Sequence, residues 1–178
     1  LNSVDISDDG KYIVAGSEDD IVYFFDRGSV TPLWTYDSDS KIKIVSISAD
    51  GEYIVAGTMD NKVYLFDKDS STPLWTKDVA GYQGCSRISD DGEYIIAGTG
   101  YDDNKVYFFE RGSSTPLWTY SIGNNVYSVD ISADGQYMVA GIHPKVYLFN
   151  KDEDDPVWTY DTDDYVQNVA ISSDGEYI

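Results

Sequence analysis

Apolar and polar positions along this chain follow one pattern that is written four times and begun a fifth. A short apolar-rich run, Val126-Tyr127-Ser128-Val129-Asp130-Ile131-Ser132, ends in Ala133-Asp134-Gly135-Gln136. Asp-Gly between apolar runs signals a tight hairpin, because glycine accepts the positive φ that the turn needs. Tyr137-Met138-Val139-Ala140-Gly141 then predicts a second strand, Val146-Tyr147-Leu148-Phe149 a third, and Val157-Trp158-Thr159-Tyr160 a fourth. β-branched and aromatic residues fill both parities of these runs, the pattern of strands buried on both faces. The hairpin aspartates are Asp9, Asp50, Asp91, Asp134 and Asp174, in steps of 41, 41, 43 and 40 residues. A fixed period of this length predicts stacked units, none of which buries its apolar surface alone.

Proline identifies the outer strand. Pro32, Pro73, Pro116 and Pro156 each stand two residues before a tryptophan, at the start of the fourth strand. Proline donates nothing to a ladder and belongs at an edge or a strand's first residue, where it also blunts pairing with other chains. The order inner, second, third, outer is that of a four-stranded propeller blade. The chain therefore reads as an all-β β-propeller segment of four-stranded antiparallel blades with a repeat of about 41 residues. The four repeats lie at about 1–37, 38–78, 79–121 and 122–161, followed by a partial fifth at 162–178. Val166 to Ile178 repeats the register of Leu1 to Ile13. The segment is accordingly expected to belong to a larger ring of roughly seven or eight blades, completed by further sequence or by another copy.

Composition narrows the partners. Thirty-two acidic residues against 12 basic ones give a formal net charge of −20. Nucleic-acid backbone binding depends on Lys and Arg releasing counterions, so nucleic acid is not expected as a partner, and anionic membrane surfaces are disfavoured. No apolar run approaches the roughly 20 residues that span a bilayer, so direct membrane insertion is not expected. Most of the acid is aspartate between the periodic segments, as in Glu18-Asp19-Asp20 and Asp152 to Asp155, where aspartate caps turns through the neighbouring backbone. The same charge would suit a salty or calcium-rich exterior, and an extracellular or cell-surface setting is read ahead of a cytoplasmic one. Leu1 is not an initiator methionine, and further sequence is expected before it.

Ser3 to Ser17, with Ser-Val-Asp-Ile-Ser-Asp-Asp-Gly-Lys-Tyr-Ile-Val-Ala-Gly-Ser, resembles the first half of a WD-repeat unit. Val63 to Thr76, with Val-Tyr-Leu-Phe-Asp followed by Pro-Leu-Trp-Thr, is similar to the quinoprotein (PQQ-like) propeller repeat, whose tryptophan sits on the outer strand. The Gly-His dipeptide of WD repeats is missing from every unit, so the hydrogen-bonded tetrad of that family is not expected. Positions matching the quinone- and calcium-binding residues of quinoprotein dehydrogenases are not found, so the resemblance carries over no such activity.

The chemistry-bearing residues are few. Asp5 to Gly10 and Asp130 to Gly135 spell D-x-S-x-D-G, faintly like a calcium loop, but calcium needs six to eight oxygens and an apolar strand follows almost at once. His143 is the only histidine and Cys85 the only cysteine, whereas zinc or catalytic roles need convergent partners. Cys85 occupies the inner-strand position of Ser3, Ile44, Ser128 and Asn168, which suits a small buried or channel-facing thiol. The tryptophans read as packing anchors. No metal site, cofactor or catalytic set is expected.

The variable positions carry the functional signal. Each tryptophan stands 16 residues before the next hairpin aspartate, as from Trp34 to Asp50. Length varies only between the second and third strands, around Glu18 to Asp20, Met59 to Asn61, Gly100 to Asn104, and His143-Pro144. In a meander, that loop and the outer-to-inner connection emerge on one face, and variation confined to one face marks a binding face. There the repeat is broken by Lys41, Lys43, Tyr82, Arg87, Asn125, Tyr127 and Tyr165, joined by Tyr101 and His143. Aromatic residues and Arg are enriched at interfaces, and cations within an acidic molecule focus an anionic partner. The function expected is a non-enzymatic protein-binding or assembly scaffold that docks a protein, a peptide or an anionic ligand over the channel mouth. The alternatives are a structural module of a cell-surface layer or filament, and a fragment of a catalytic propeller of quinoprotein or lyase type with its active site in other blades.

Overall fold

Sixteen strands, taken four at a time in chain order, build four antiparallel sheets. They are seen in a computed structural model that describes residues 1–101 and 103–178, with residues 82 and 83 described by backbone alone. Blade 1 holds β1 (Ser3–Ile6), β2 (Tyr12–Gly16), β3 (Ile21–Asp26) and β4 (Trp34–Asp37). Blade 2 holds β5 (Ile42–Ile47), β6 (Tyr53–Thr58), β7 (Lys62–Asp67) and β8 (Trp75–Asp78). Blade 3 holds β9 (Tyr82–Ile88), β10 (Tyr94–Gly100), β11 (Lys105–Glu110) and β12 (Trp118–Ser121). Blade 4 holds β13 (Ser128–Ile131), β14 (Tyr137–Gly141), β15 (Lys145–Asn150) and β16 (Trp158–Asp161). The inner strands β1, β5, β9 and β13 lie side by side in that order. This is a β-propeller segment.

The hairpin after each inner strand is held by one serine and one aspartate. Ser7 Oγ donates to Asp9 Oδ1 at 2.7 Å, the same carboxylate accepts from Lys11 N–H at 2.8 Å, and Ser7 Oγ accepts from Tyr12 N–H at 3.0 Å. The set recurs at Ser48 and Asp50, Ser89 and Asp91, Ser132 and Asp134, and Ser172 and Asp174. These bonds, led by that from Ser7, hold the Asp9 carboxyl below the usual carboxylate range. Carboxylates engaged in this way are turn fasteners. Successive hairpins are also tied backbone to backbone, Asp8 N–H to Ala49 O at 3.0 Å and Ala49 N–H to Asp90 O at 3.0 Å.

The core lies between blades. Trp34 stacks on Phe24 of its own sheet at 5.0 Å and on Phe66 of the next at 5.4 Å. Its indole Nε1 donates to Lys68 O of that next blade at 2.7 Å. Trp75 repeats the arrangement with Phe109 and Arg111 O, and Trp118 with Phe108, Phe149 and Lys151 O. Each of these three tryptophans thus supplies apolar area and a directional hydrogen bond across one junction, the combination that buried indoles favour. One position departs from the packing rule. Ser86 is fully buried at the position where Val4, Val45 and Val129 recur, and its hydroxyl has no partner among the described residues.

The two end blades differ from the middle ones. Val4 and Ile6 on β1 are 59% and 52% exposed, although their counterparts Val45 and Ile47 are buried. On blade 4, Trp158 and Tyr160 are 39% and 66% exposed. Residues 162–178, expected as an inner strand and the start of a second, form the hairpin turn but no assigned strand. The segment still follows the repeat: Val169 N–H donates to Ser128 Oγ at 3.2 Å and Ile171 N–H to Asp130 Oδ2 at 2.9 Å. The inner strand of blade 4 is also shorter than the expected Val126 to Ser132. Val126 N–H donates instead to Thr99 O of blade 3 at 3.2 Å, which draws the chain off its own sheet.

Candidate functional site

The variable face is assembled as the repeat spacing expects. The loop between second and third strands and the outer-to-inner connection meet there in every blade. Ser38 N–H donates to Asp20 O at 3.0 Å, Val79 N–H to Asn61 O at 2.8 Å, and Ile122 N–H to Asn104 O at 2.9 Å. Asp20, Asn61 and Asn104 take left-handed backbone with φ of 73°, 71° and 51°, a conformation that Asp and Asn accept more readily than most residues. Length differences are therefore absorbed in the loop before this closing residue, leaving the blades in register.

Two inner strands are bulged at this mouth. In blade 2, Ile42 pairs with Thr58 and Ile44 with Gly57, so Lys43 is the extra residue. In blade 3, Cys85 pairs with Gly98 and the next pair is residue 83 with Thr99, so Gly84 is extra. A bulge re-aims a side chain and ends regular pairing, which is why bulges gather at binding sites. Lys43, Gly84 and Tyr127 hold equivalent positions in three consecutive blades. Gly84 offers no side chain, and a Cβ there would meet Val126 O at 2.8 Å. The result is a recess of about 230 Å³ lined by Lys43, Gly84, Gly100, Tyr101, Asn125, Val126 and Tyr127.

Of the residues singled out from sequence, Lys43, Tyr101, Asn125 and Tyr127 line this recess. Tyr101, at a φ of 57°, donates its backbone N–H to Asn125 Oδ1 and so ties the longest loop to the connection entering blade 4. Tyr127 meets Tyr165 edge-on at 5.6 Å, and Tyr165 stacks on His143 at 4.3 Å, so an aromatic row continues from the recess towards the fifth unit. Lys41 lies beside the mouth with its ammonium 3.7 Å from Glu18. The Tyr82 side chain lies outside the described residues. Arg87 is elsewhere. It pairs in register with Ile96, three residues down the inner strand from Gly84, and its Nε lies 3.9 Å from Asp130 Oδ1. At about 3.3 Å per residue this is roughly 10 Å below the mouth.

Charge is unevenly placed along the inner strands. The hairpin end carries Asp5, Asp8, Asp90, Asp91 and Asp130, and the Asp90 carboxyl is raised above its ordinary value first by burial and then by those neighbours. The variable end carries Lys41 and Lys43 among the loop acids Glu18, Asp19, Asp20 and Asp60. Lys43 has no carboxylate partner among the described residues. Cys85 is buried directly below the recess, and burial pushes its thiol up to about 12. It therefore stays protonated at neutral pH and is a poor nucleophile. Among the described residues, no three or more His, Cys, Asp or Glu are grouped so as to hold a metal ion. Among the described residues, no helix is long and apolar enough to cross a membrane.

Of the nine residues named from sequence, four line the recess, and sequence reasoning missed the bulges. Gly84 inside a strand pattern is the signal that could have found one of them, since an isolated strand glycine marks a bulge or a close approach. Nothing local marks the bulge at Lys43.

Comparison with curated proteins gave no match. Residues 3–136, which take in the first three blades and the opening of the fourth, match the family model described as outer membrane protein assembly factor BamB. That span carries four of the five hairpin fasteners, the Trp34 and Trp75 junctions and the recess, and this chain belongs to the PQQ-type β-propeller repeat family of BamB.

Proposed function

We propose that this chain is a non-catalytic docking and assembly scaffold, which receives a protein or peptide partner on its variable face over the channel mouth. The observation that carries the reading is the recess built by two bulged inner strands, with Lys43 in its lining and an aromatic row leading from it. A polypeptide partner suits a surface of rigid aromatic side chains with unpaired donors, as such residues dominate interface energetics. The family description, an assembly factor for outer membrane proteins, supports a scaffold role and a setting at the cell envelope. The strong negative charge opposes nucleic acid as the partner.

Peptides selected against the protein from a random display library provide the test. Hydrogen exchange mapping is expected to show bound peptides protecting segments 38–44 and 122–128, and Tyr127→Ala is expected to weaken them by about 1–4 kcal/mol. Selected peptides that protect only the Asp-Gly hairpins, with affinity indifferent to Tyr127→Ala, would refute the reading.

A further inference from the structure

We infer that the recess above Gly84 is a carboxylate-binding subsite, which takes an aspartate or glutamate side chain of an acidic peptide partner. The inference rests on the docking-face reading and specifies what that face recognises. Three side chains around the recess present hydrogen-bond donors. The Lys43 ammonium has no acid within reach among the described residues, in a molecule with 32 acidic and 12 basic residues. Asn125 uses its Oδ1 to accept from Tyr101 N–H. Its Nδ2, which can only donate, is thereby turned away from that bond and makes no other among the described residues. Tyr127, more than one-third exposed, adds a phenol and an aromatic wall.

The attraction is local to the recess: the surrounding loops carry Glu18, Asp19, Asp20 and Asp60, and Lys41 is already 3.7 Å from Glu18, so Lys43 is the cation that meets an anion there. The recess is small enough to exclude most bulk water once filled, and an ammonium–carboxylate contact is strengthened in such partly desolvated surroundings. Gly84 is what makes the space: any side chain there would run into Val126 O. The walls are pre-formed, since Tyr101 and Asn125 are already tied together and Tyr127 is braced by Tyr165. A carboxylate on a short flexible stem fits this set. A phosphate dianion, with three or more oxygens to satisfy, would find one ammonium and one amide.

N-acetyl-L-glutamate, with N-acetyl-L-glutamine as the uncharged counterpart, probes the subsite on the intact chain by two-dimensional amide NMR. Saturable shifts are expected at Gly84, Gly100, Val126 and Tyr127 with the acid and not with the amide, with a dissociation constant on the order of 1 mM. Lys43→Gln is expected to weaken binding about tenfold, in keeping with loss of one charge-assisted bond. Lys11→Gln, which removes the same charge on the hairpin face, is expected to leave binding unchanged. Equal shifts with the amide, an unaltered affinity in Lys43→Gln, or the absence of saturable shifts at these amides would overturn the carboxylate subsite. In any of those cases peptides that still protect this face in hydrogen exchange would leave the docking-face reading standing, so the two failures are distinguishable.

Discussion

Trp118→Ala is expected to destabilise the protein by about 3–5 kcal/mol, the range for truncating large buried aromatic residues, whereas Leu117→Ala should cost at most about 1 kcal/mol. The two residues are chain neighbours, and the difference is what each side chain touches. Trp118 is sandwiched between Phe108 and Phe149 at 5.0 and 5.4 Å, and its Nε1 donates to Lys151 O at 3.1 Å. Leu117 is 52% exposed, so its truncation approaches a surface substitution. Trp118→Phe keeps the aromatic contact and loses the hydrogen bond, and should fall between, near 1–2 kcal/mol once the orphaned carbonyl is counted. Denaturant unfolding with an unchanged m-value reads these differences. Equal losses at both positions would mean that the junctions are not where the stability resides.

The second large effect concerns a glycine with two independent reasons to be one. Gly92 has a φ of +70°, and a Cβ there would lie 2.7 Å from Tyr53 Cδ2 of the preceding blade. Gly92→Ala should therefore cost about 1–2 kcal/mol for left-handed backbone and a further 1–3 kcal/mol, roughly, for the overlap. Gly123 separates the two terms. Its φ is +83°, yet nothing lies within 4 Å of a Cβ placed there. Gly123→Ala should show the backbone cost alone. If thermal unfolding places the two variants together, the blade-to-blade contact at Tyr53 contributes nothing and the packing account of the hairpin is wrong.

These residues show how much of the molecule the sequence carried. Period, hairpins and edge proline are local signals, and they located all sixteen strands in order because every unit repeats the same local preferences. The junctions were only half legible. Tryptophan as a packing anchor followed from its place on the outer strand, but its bond to the carbonyl after the next blade's third strand is set by how the sheets stack. The site divides in the same way. Lys43, Tyr101, Asn125 and Tyr127 stood out because they break the repeat, and they converge on one recess. Arg87 also breaks the repeat, but its place is fixed by register along β9 and lies well below the mouth, facing Asp130. The recess itself depends on a bulge at Lys43 that arises from pairing register, for which no residue type nearby gives a cue.

The central claim is that partners engage the variable face. Site-specific photo-crosslinking in extracts of the native host tests it most directly, with a benzophenone amino acid placed in turn at Tyr127, beside the recess, and at Lys11, on the hairpin face. The account predicts a discrete protein adduct from position 127, diminished by Lys43→Gln, and none from position 11. An adduct formed from position 11 and not from 127 would contradict it.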